Sequence, residues 1–108
     1  MLFRSRTAYR ERLDALAAAV ERFCGGVLRL RPVRTGLHAV ADLAGADAVK
    51  VSSEAARRGL EVTPLSAYYA QRARAANGLV LGFAAVRPDV LSRGAERLAA
   101  AIEAARRS

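Results

Sequence analysis

The stretch Asn77-Gly78-Leu79-Val80-Leu81-Gly82-Phe83-Ala84 decides the fold. Apart from its first residue it is a continuous apolar run, which is typical of a strand covered on both faces. Pro88 follows shortly afterwards, and proline is favoured in a first helical turn because its missing N–H has no partner there anyway. The helix predicted from Pro88 to the chain end is marked by Leu91, Leu98, Ile102 and Ala105.

The residues before this stretch predict two further helices and three further strands. The first helix carries an apolar stripe at helical spacing and ends at Gly25-Gly26; the stripe consists of Tyr9, Leu13, Leu16, Val20 and Phe23. Asp47 is the predicted N-cap of a second helix, which Gly59 terminates. Strands are predicted at residues 27–31, 36–43 and 60–63, the last of them broken by Pro64.

This α-β-β-α-β-β-α order predicts an α/β fold, a two-layer sandwich in which helices pack on a small mixed β-sheet. A length of 108 residues fits a single domain, and a composition of 53% hydrophobic residues is ample for one core. No apolar run approaches the roughly 20 residues needed to cross a bilayer. We therefore expect a soluble cytoplasmic protein with no membrane partner.

The formal net charge of +8 raises the possibility of a nucleic-acid partner. Arginine supplies all of the positive charge except that of Lys50, and the arginines are scattered over several predicted segments. Because they form no run, the charge alone does not predict a binding patch. A free-standing basic interaction or nucleic-acid-binding domain is kept as an alternative.

The chain offers few groups for catalysis or metal binding. Cys24, His38 and Lys50 are the only residues of their kinds. Cys24 ends an apolar stripe and is interpreted as a buried thiol, Lys50 as a surface lysine, and His38 as a structural or surface residue on a strand. With no metal-ligand spacing and no glycine-rich phosphate loop, we predict no catalytic residue and no metal site.

The polar-aromatic segment Pro64-Leu65-Ser66-Ala67-Tyr68-Tyr69 follows a predicted strand and opens what reads as a long loop up to Asn77. Binding residues concentrate in such loops. The two tyrosines could equally form a roof over the core, and the residues themselves leave both interpretations open.

Five segments, in this order, resemble the C-terminal small domain of fold-type I pyridoxal-phosphate-dependent aminotransferases, and above all the aminotransferase-like half of MocR (GabR-type) transcriptional regulators of the GntR superfamily. They are YRERLDAL (9–16), TGLHAV (35–40), RGLEV (58–62), PLSAYY (64–69) and NGLVLGFA (77–84). The resemblance implies a parent protein of class I/II aminotransferase type, a dimer that binds pyridoxal phosphate between two domains. The cofactor lysine, the aspartate at the pyridine nitrogen and the phosphate cup would all belong to the large domain, so no cofactor-binding residue is expected here.

The resemblance also implies which residues face the substrate. Aminotransferases carry an arginine for the substrate carboxylate on the late strand, and that arginine would fall at or next to Val80. An apolar side chain there removes the bidentate clamp on a carboxylate. Ser66, Tyr68 and Tyr69 would lie near the substrate side, so the predicted substrate-facing residues are Ser66, Tyr68, Tyr69 and Val80.

These expectations describe a fragment. Residues 1–6 are expected to be a non-native or disordered start, because Leu2-Phe3-Arg4-Ser5 matches the translation of a common sequencing-adapter end. Residues 7–108 are expected to form the small domain, whose partner is the large domain of the same chain. The MocR resemblance implies a regulator that senses an amine or amino acid through pyridoxal phosphate and contacts DNA only through an upstream winged-helix domain. The alternative is the small domain of a genuine aminotransferase. In either case, no transamination is expected of this chain by itself.

Overall fold

A four-stranded sheet with helices packed against it forms the domain. The computed structural model describes residues 2–31, 38–68, 77–83 and 87–107, without the side chains of residues 2–8 and 68. The strands are β1 (Leu28–Leu30), β2 (His38–Leu43), β3 (Thr63–Pro64) and β4 (Gly78–Gly82). The helices are α1 (Leu2–Cys24), α2 (Ala48–Arg57) and α3 (Pro88–Arg107), and a 3-10 helix spans Leu65–Tyr68.

The predicted two-layer α/β class and element order are confirmed, but the prediction of a mixed sheet is wrong. The strand order is β1-β2-β4-β3, and each of these neighbouring pairs is antiparallel. The crossover through α2 makes β2 and β3 run in the same direction. Because β4 is inserted between them in the opposite direction, the two parallel strands never meet, which is the arrangement of a split β-α-β unit.

Local sequence signals place the ends of the helices. The Asp47 carboxylate accepts a hydrogen bond from the backbone N–H of Lys50 at 3.1 Å, which confirms Asp47 as the N-cap of α2. Gly26 and Gly59 have φ angles of +89° and +77°, the left-handed conformation that favours glycine after a helix end. Helix α3 begins at Pro88, as predicted.

The third strand lies further along the chain than predicted. Residues 60–62 are not in a strand, and the pairing with β4 involves Thr63 and Pro64. The predicted strand ends before Pro64, because proline usually breaks a strand. Since β3 lies at the edge of the sheet, proline's missing N–H need not remove a ladder hydrogen bond.

One hydrophobic core joins the sheet to all three helices. Alternate residues of β2 and β4 point into it, with Ala39, Ala41 and Leu79 each at most 1% exposed. Leu16 and Val20 of α1 meet them from one side, and the predicted α3 stripe meets them from another. Tyr9 extends the core, since its ring lies 5.3 Å from that of Phe83, centroid to centroid.

Two further sequence predictions concern the N-terminal residues and the absence of a membrane span. Helix α1 includes residues 2–6, and the proposed division of the chain at residue 7 stays a prediction. Across the described residues, no helix combines the length and apolar character needed to span a membrane.

Candidate substrate-facing surface

The sheet has a second face, opposite the core to which α1, α2 and α3 contribute. Leu79 and Leu81 of β4 belong to the core, so the alternation of strand side chains puts Val80 on this second face. The register pairs Val80 with Val40 of β2 on one side and with Thr63 of β3 on the other. We call Val40, Thr63 and Val80 the central row of the sheet.

Val80 is buried in this row, with 9% of its surface exposed. Its side chain offers dispersion contacts and no hydrogen bond. An arginine at this position could bind a carboxylate through two parallel N–H···O bonds, and valine cannot. The central row of Val40, Thr63 and Val80 therefore offers no charged group to a carboxylate.

The other predicted substrate-facing residues fall in or after the 3-10 helix that follows β3. Ser66 is half-buried within this helix. The pairing of β3 with β4 carries the helix towards the beginning of β4, where a Cβ placed on Gly78 would lie 3.4 Å from Leu65 Cδ2. Tyr68 ends the helix with a side chain outside the described part, and Tyr69 lies outside the described residues altogether. That Ser66, Tyr68, Tyr69 and Val80 face one ligand stays a prediction.

An ion pair on the same face joins β1 to β2. Arg31 binds Asp42 through Nε at 3.2 and 3.1 Å and through Nη2 at 2.8 Å, a forked contact. The hydrogen bond from Arg31 lowers the pKa of Asp42 below its usual value. Desolvation is the next largest effect and opposes this shift, while the charges of Arg31 and Arg29 lower the pKa further. The Arg31–Asp42 pair is positioned to hold the short strand β1 in register with β2. It could not be predicted from the sequence, because the two residues meet only when the strands pair.

Asn77 is a second residue whose role the sequence did not reveal. Its Oδ1 accepts a hydrogen bond from the backbone N–H of Ala48 at 3.0 Å, at the start of α2. Its Nδ2 donates to the backbone carbonyls of Leu43 at 3.0 Å and Ala46 at 2.6 Å. One side chain thus joins the end of β2, the turn after it and the helix that follows. The only sequence signal was an Asn-Gly pair, which indicates a turn and nothing more.

The three singular residues lie where sequence analysis expected them. Cys24 is buried with 1% exposure, and burial raises the pKa of its thiol to about 11. Lys50 is exposed on the first turn of α2. His38 is exposed on β2, and its imidazole Cδ2 lies 3.7 Å from where a Cβ on Gly82 would be. Among the described residues, no three His, Cys, Asp or Glu side chains cluster closely enough to hold a metal ion.

A cavity of about 700 Å³ opens beside the end of β4. It lies between α3, the turn at residues 59–62 and the middle of α1, and its lining includes Leu16, Leu60, Phe83 and Val90. Neither Val80 nor Ser66 lines this cavity.

Comparison with known proteins gives matches among solved structures alone. No protein-family model matches the sequence, and no curated protein matches it. Kynurenine aminotransferase from Pyrococcus horikoshii superposes with a TM-score of 0.80 at 30% sequence identity, over 92% of this chain and 24% of that one.

Two further structures give the same picture. The multiple substrate aminotransferase from Thermococcus profundus has a TM-score of 0.81 at 24% identity, over 94% of this chain and 25% of its own. The alpha-aminoadipate aminotransferase from Thermus thermophilus, complexed with N-(5'-phosphopyridoxyl)-L-leucine, has a TM-score of 0.82 at 23% identity, over 95% and 26%. The chain spans about a quarter of the length of each structure, and it has the fold of that part of a pyridoxal-phosphate-dependent aminotransferase.

Proposed function

We propose that this chain is the C-terminal small domain of a pyridoxal-phosphate-dependent, aminotransferase-like transcriptional regulator of the MocR type. In this proposal the parent protein senses an amine or an amino acid through its cofactor, and a winged-helix domain elsewhere in the parent binds DNA. The aminotransferase-like part of the proposal is supported by the superposition of more than nine-tenths of the chain on about a quarter of several aminotransferases.

The regulator is preferred to an enzyme because of the residue at position 80. The resemblance described above puts the carboxylate-binding arginine of aminotransferases at or next to Val80. A buried valine there offers the effector an apolar contact and no charge. A sensor that does not turn over an amino acid can recognise an amine through its apolar part, whereas an aminotransferase needs its substrate held in a reactive orientation.

The residues described in this chain do not fit the cofactor itself. Pyridoxal phosphate supplies the electron sink for amine chemistry when it is bound through a lysine. Lys50, the only lysine of the sequence, is exposed on α2 and lies outside the lining of the 700 Å³ cavity. We therefore assign cofactor binding to the large domain of the parent, and to this chain the residues Val80, Ser66, Tyr68 and Tyr69 as the ones that face the effector.

The first experiment reads the source DNA upstream of the codon for Thr7. The proposal expects a continuous frame that encodes a cofactor-lysine domain preceded by a winged helix. The protein expressed from that frame should bind pyridoxal phosphate, measured by its visible absorption, and should retard a DNA fragment from its own promoter region. An in-frame stop just upstream, with genuine initiation at Met1, would contradict the proposal and leave the free-standing basic domain.

A second experiment tests the role of Val80 in the extended protein. Binding of leucine is compared with binding of isopentylamine, the same molecule without its carboxylate, by calorimetry. The native protein is expected to bind the amine at least as tightly as the amino acid. Val80→Arg should shift the preference towards leucine by at least about tenfold, because a charge-assisted contact is added.

Val80→Met is the matched control, since it lengthens the buried side chain without adding charge. It should leave the preference between the two ligands unchanged. If Val80→Arg and Val80→Met gave the same ratio of affinities, Val80 would not face the ligand.

The small domain of a genuine aminotransferase is the second candidate. The 30% identity to the kynurenine aminotransferase favours it, since that relative is an enzyme. A frame with a cofactor-lysine domain but no winged helix, whose product transfers an amino group from an amino acid to a keto acid, would establish it in place of the regulator.

A further inference from the structure

The 700 Å³ cavity beside the end of β4 is built like a site for a small apolar ligand. Among the described residues, its floor includes core side chains from the helices and the sheet, such as Leu16, Val20, Leu81, Phe83, Leu91 and Leu98. Its rim includes Val90, which is 47% exposed, and the half-buried Leu60 and Val62. Cavities of roughly 300–1,000 Å³ that are mostly apolar with a few polar groups are typical of small-molecule sites.

Two arginines stand on one side of this cavity. Arg93 and Arg97 lie one turn apart on α3, and both line the opening. Both are exposed, and neither forms an ion pair with another residue in the part of the chain that the structure describes. Like charges at this spacing repel one another, so an anion between them would stabilise both.

Two further polar residues line the cavity. They are Glu61, on the turn at residues 59–62, and His38, the first residue of β2. Glu61 lies beyond ion-pair distance of either arginine. The lining therefore combines two arginines of α3 and one carboxylate with an apolar floor.

We propose that this cavity binds an apolar monocarboxylate, with the alkyl chain over the floor residues and the carboxylate between Arg93 and Arg97. The occupant is fixed by charge complementarity together with the size of the cavity. Glu61 gives the site a preference for one carboxylate, because it also lines the cavity and would repel a second carboxylate on the ligand. The proposal does not depend on the function proposed above, since it uses none of the predicted substrate-facing residues.

Decanoate is the probe for the experiment, with 1-decanol and decanedioate as comparison ligands, measured by calorimetry on the 108-residue chain. Decanoate should bind saturably and at least about tenfold more tightly than either comparison ligand. The double variant Arg93→Gln/Arg97→Gln should lose at least about tenfold in decanoate affinity and leave the weak binding of decanol unchanged.

The matched control is Arg57→Gln/Arg107→Gln, which removes the same charge from exposed positions outside the cavity. It should bind decanoate like the native chain. Gly94→Leu adds a side chain at the lining itself and should abolish binding of both decanoate and decanol, with the far-ultraviolet circular dichroism unchanged.

Three results would overturn the proposal. The first is decanoate binding that does not saturate, or that falls equally in the two double variants. The second is a chain that sediments as a dimer and becomes monomeric on Gly94→Leu, since a second copy would then occupy the cavity. The third is an extended protein that shows no decanoate binding while the 108-residue chain binds it, since another part of the parent would then cover the cavity.

Discussion

At the scale of single residues, Asn77 stabilises more of the fold than its exposed position suggests. Its amide bonds the first N–H of α2 and two carbonyls around the turn that precedes the helix. Asp47 satisfies a second N–H of the same helix start. Two side chains far apart in the sequence therefore share the capping of one helix.

Asn77→Ala should lower the free energy of unfolding by about 1–3 kcal/mol, because the helix start and the turn lose their partners. Urea unfolding followed by circular dichroism measures the change. Ser53→Ala is the control, since Ser53 is an exposed polar residue of the helix that Asn77 caps. Equal midpoints for the two variants would show that water replaces the Asn77 contacts without loss.

Cys24 should react slowly with thiol reagents in the folded chain. Burial raises the pKa of its thiol from 9.0 to about 11, which lowers the thiolate fraction at neutral pH by about a hundredfold. A disulfide reagent should therefore modify the native chain at least about a hundredfold more slowly than the chain unfolded in guanidinium. Because the folded state holds the proton more tightly, stability should fall as the pH rises above 9.0. A native rate within about tenfold of the unfolded rate would contradict the buried position.

At the scale of the elements, the contrast between Gly94 and Gly78 shows how differently a helix and a sheet use glycine. A Cβ on Gly94 in α3 would lie 3.7 Å from Leu60 Cδ2, an ordinary contact. A Cβ on Gly78 in β4 would lie 2.7 Å from the backbone oxygen of Ala41 on β2, so the strands approach too closely there for any side chain.

The same substitution should therefore have opposite effects at the two positions. Gly94→Ala should raise the free energy of unfolding by about 0.5–1 kcal/mol, because alanine restricts the unfolded chain and favours the helix. Gly78→Ala should lower it by about 1–3 kcal/mol, because β2 and β4 must separate. Thermal unfolding of both variants measures the two changes in the free energy of unfolding. A loss of stability in Gly94→Ala would show that Leu60 cannot accommodate the added methyl group.

The Arg31–Asp42 pair should give β1 a modest dependence on pH. The pKa of Asp42 is lowered in the folded chain, so its contribution is present above the ordinary value of 3.8 and is lost as the pH falls through the lower folded value. With side chains 40% and 44% exposed, the contribution should stay below about 1 kcal/mol. Asp42→Asn should lower the free energy of unfolding by that amount at neutral pH, and it should leave the free energy unchanged at pH values well below 3.8. A constant difference across the titration would assign the effect to packing.

At the scale of the whole molecule, the features predicted from sequence were the local ones. The apolar stripes of α1 and α3, the alternation along β2 and the buried run of β4 all depend on neighbours in the chain, and the structure has them. The antiparallel sheet, the position of β3 and the role of Asn77 depend on contacts between segments that are distant in the sequence. The local sequence pattern does not predict which of these segments come into contact. Of the predicted substrate-facing residues, Val80 followed from strand alternation, whereas Tyr68 and Tyr69 belong to a segment without a clear period.

The insertion of β4 between β2 and β3 sets the order in which the chain can fold during synthesis. Strands β2 and β3 do not pair with each other, so β3 cannot join the sheet before β4 is present. Helix α1 packs against α3, and Cys24 at the end of α1 donates a hydrogen bond to the Ala95 carbonyl of α3, 71 residues further along the sequence. A ribosome releasing this chain would therefore expose half-sheets and apolar helix faces until β4 and α3 have left the exit tunnel. Nascent chains stalled before residue 78 should bind chaperones that recognise apolar surface, and release should come only when α3 emerges.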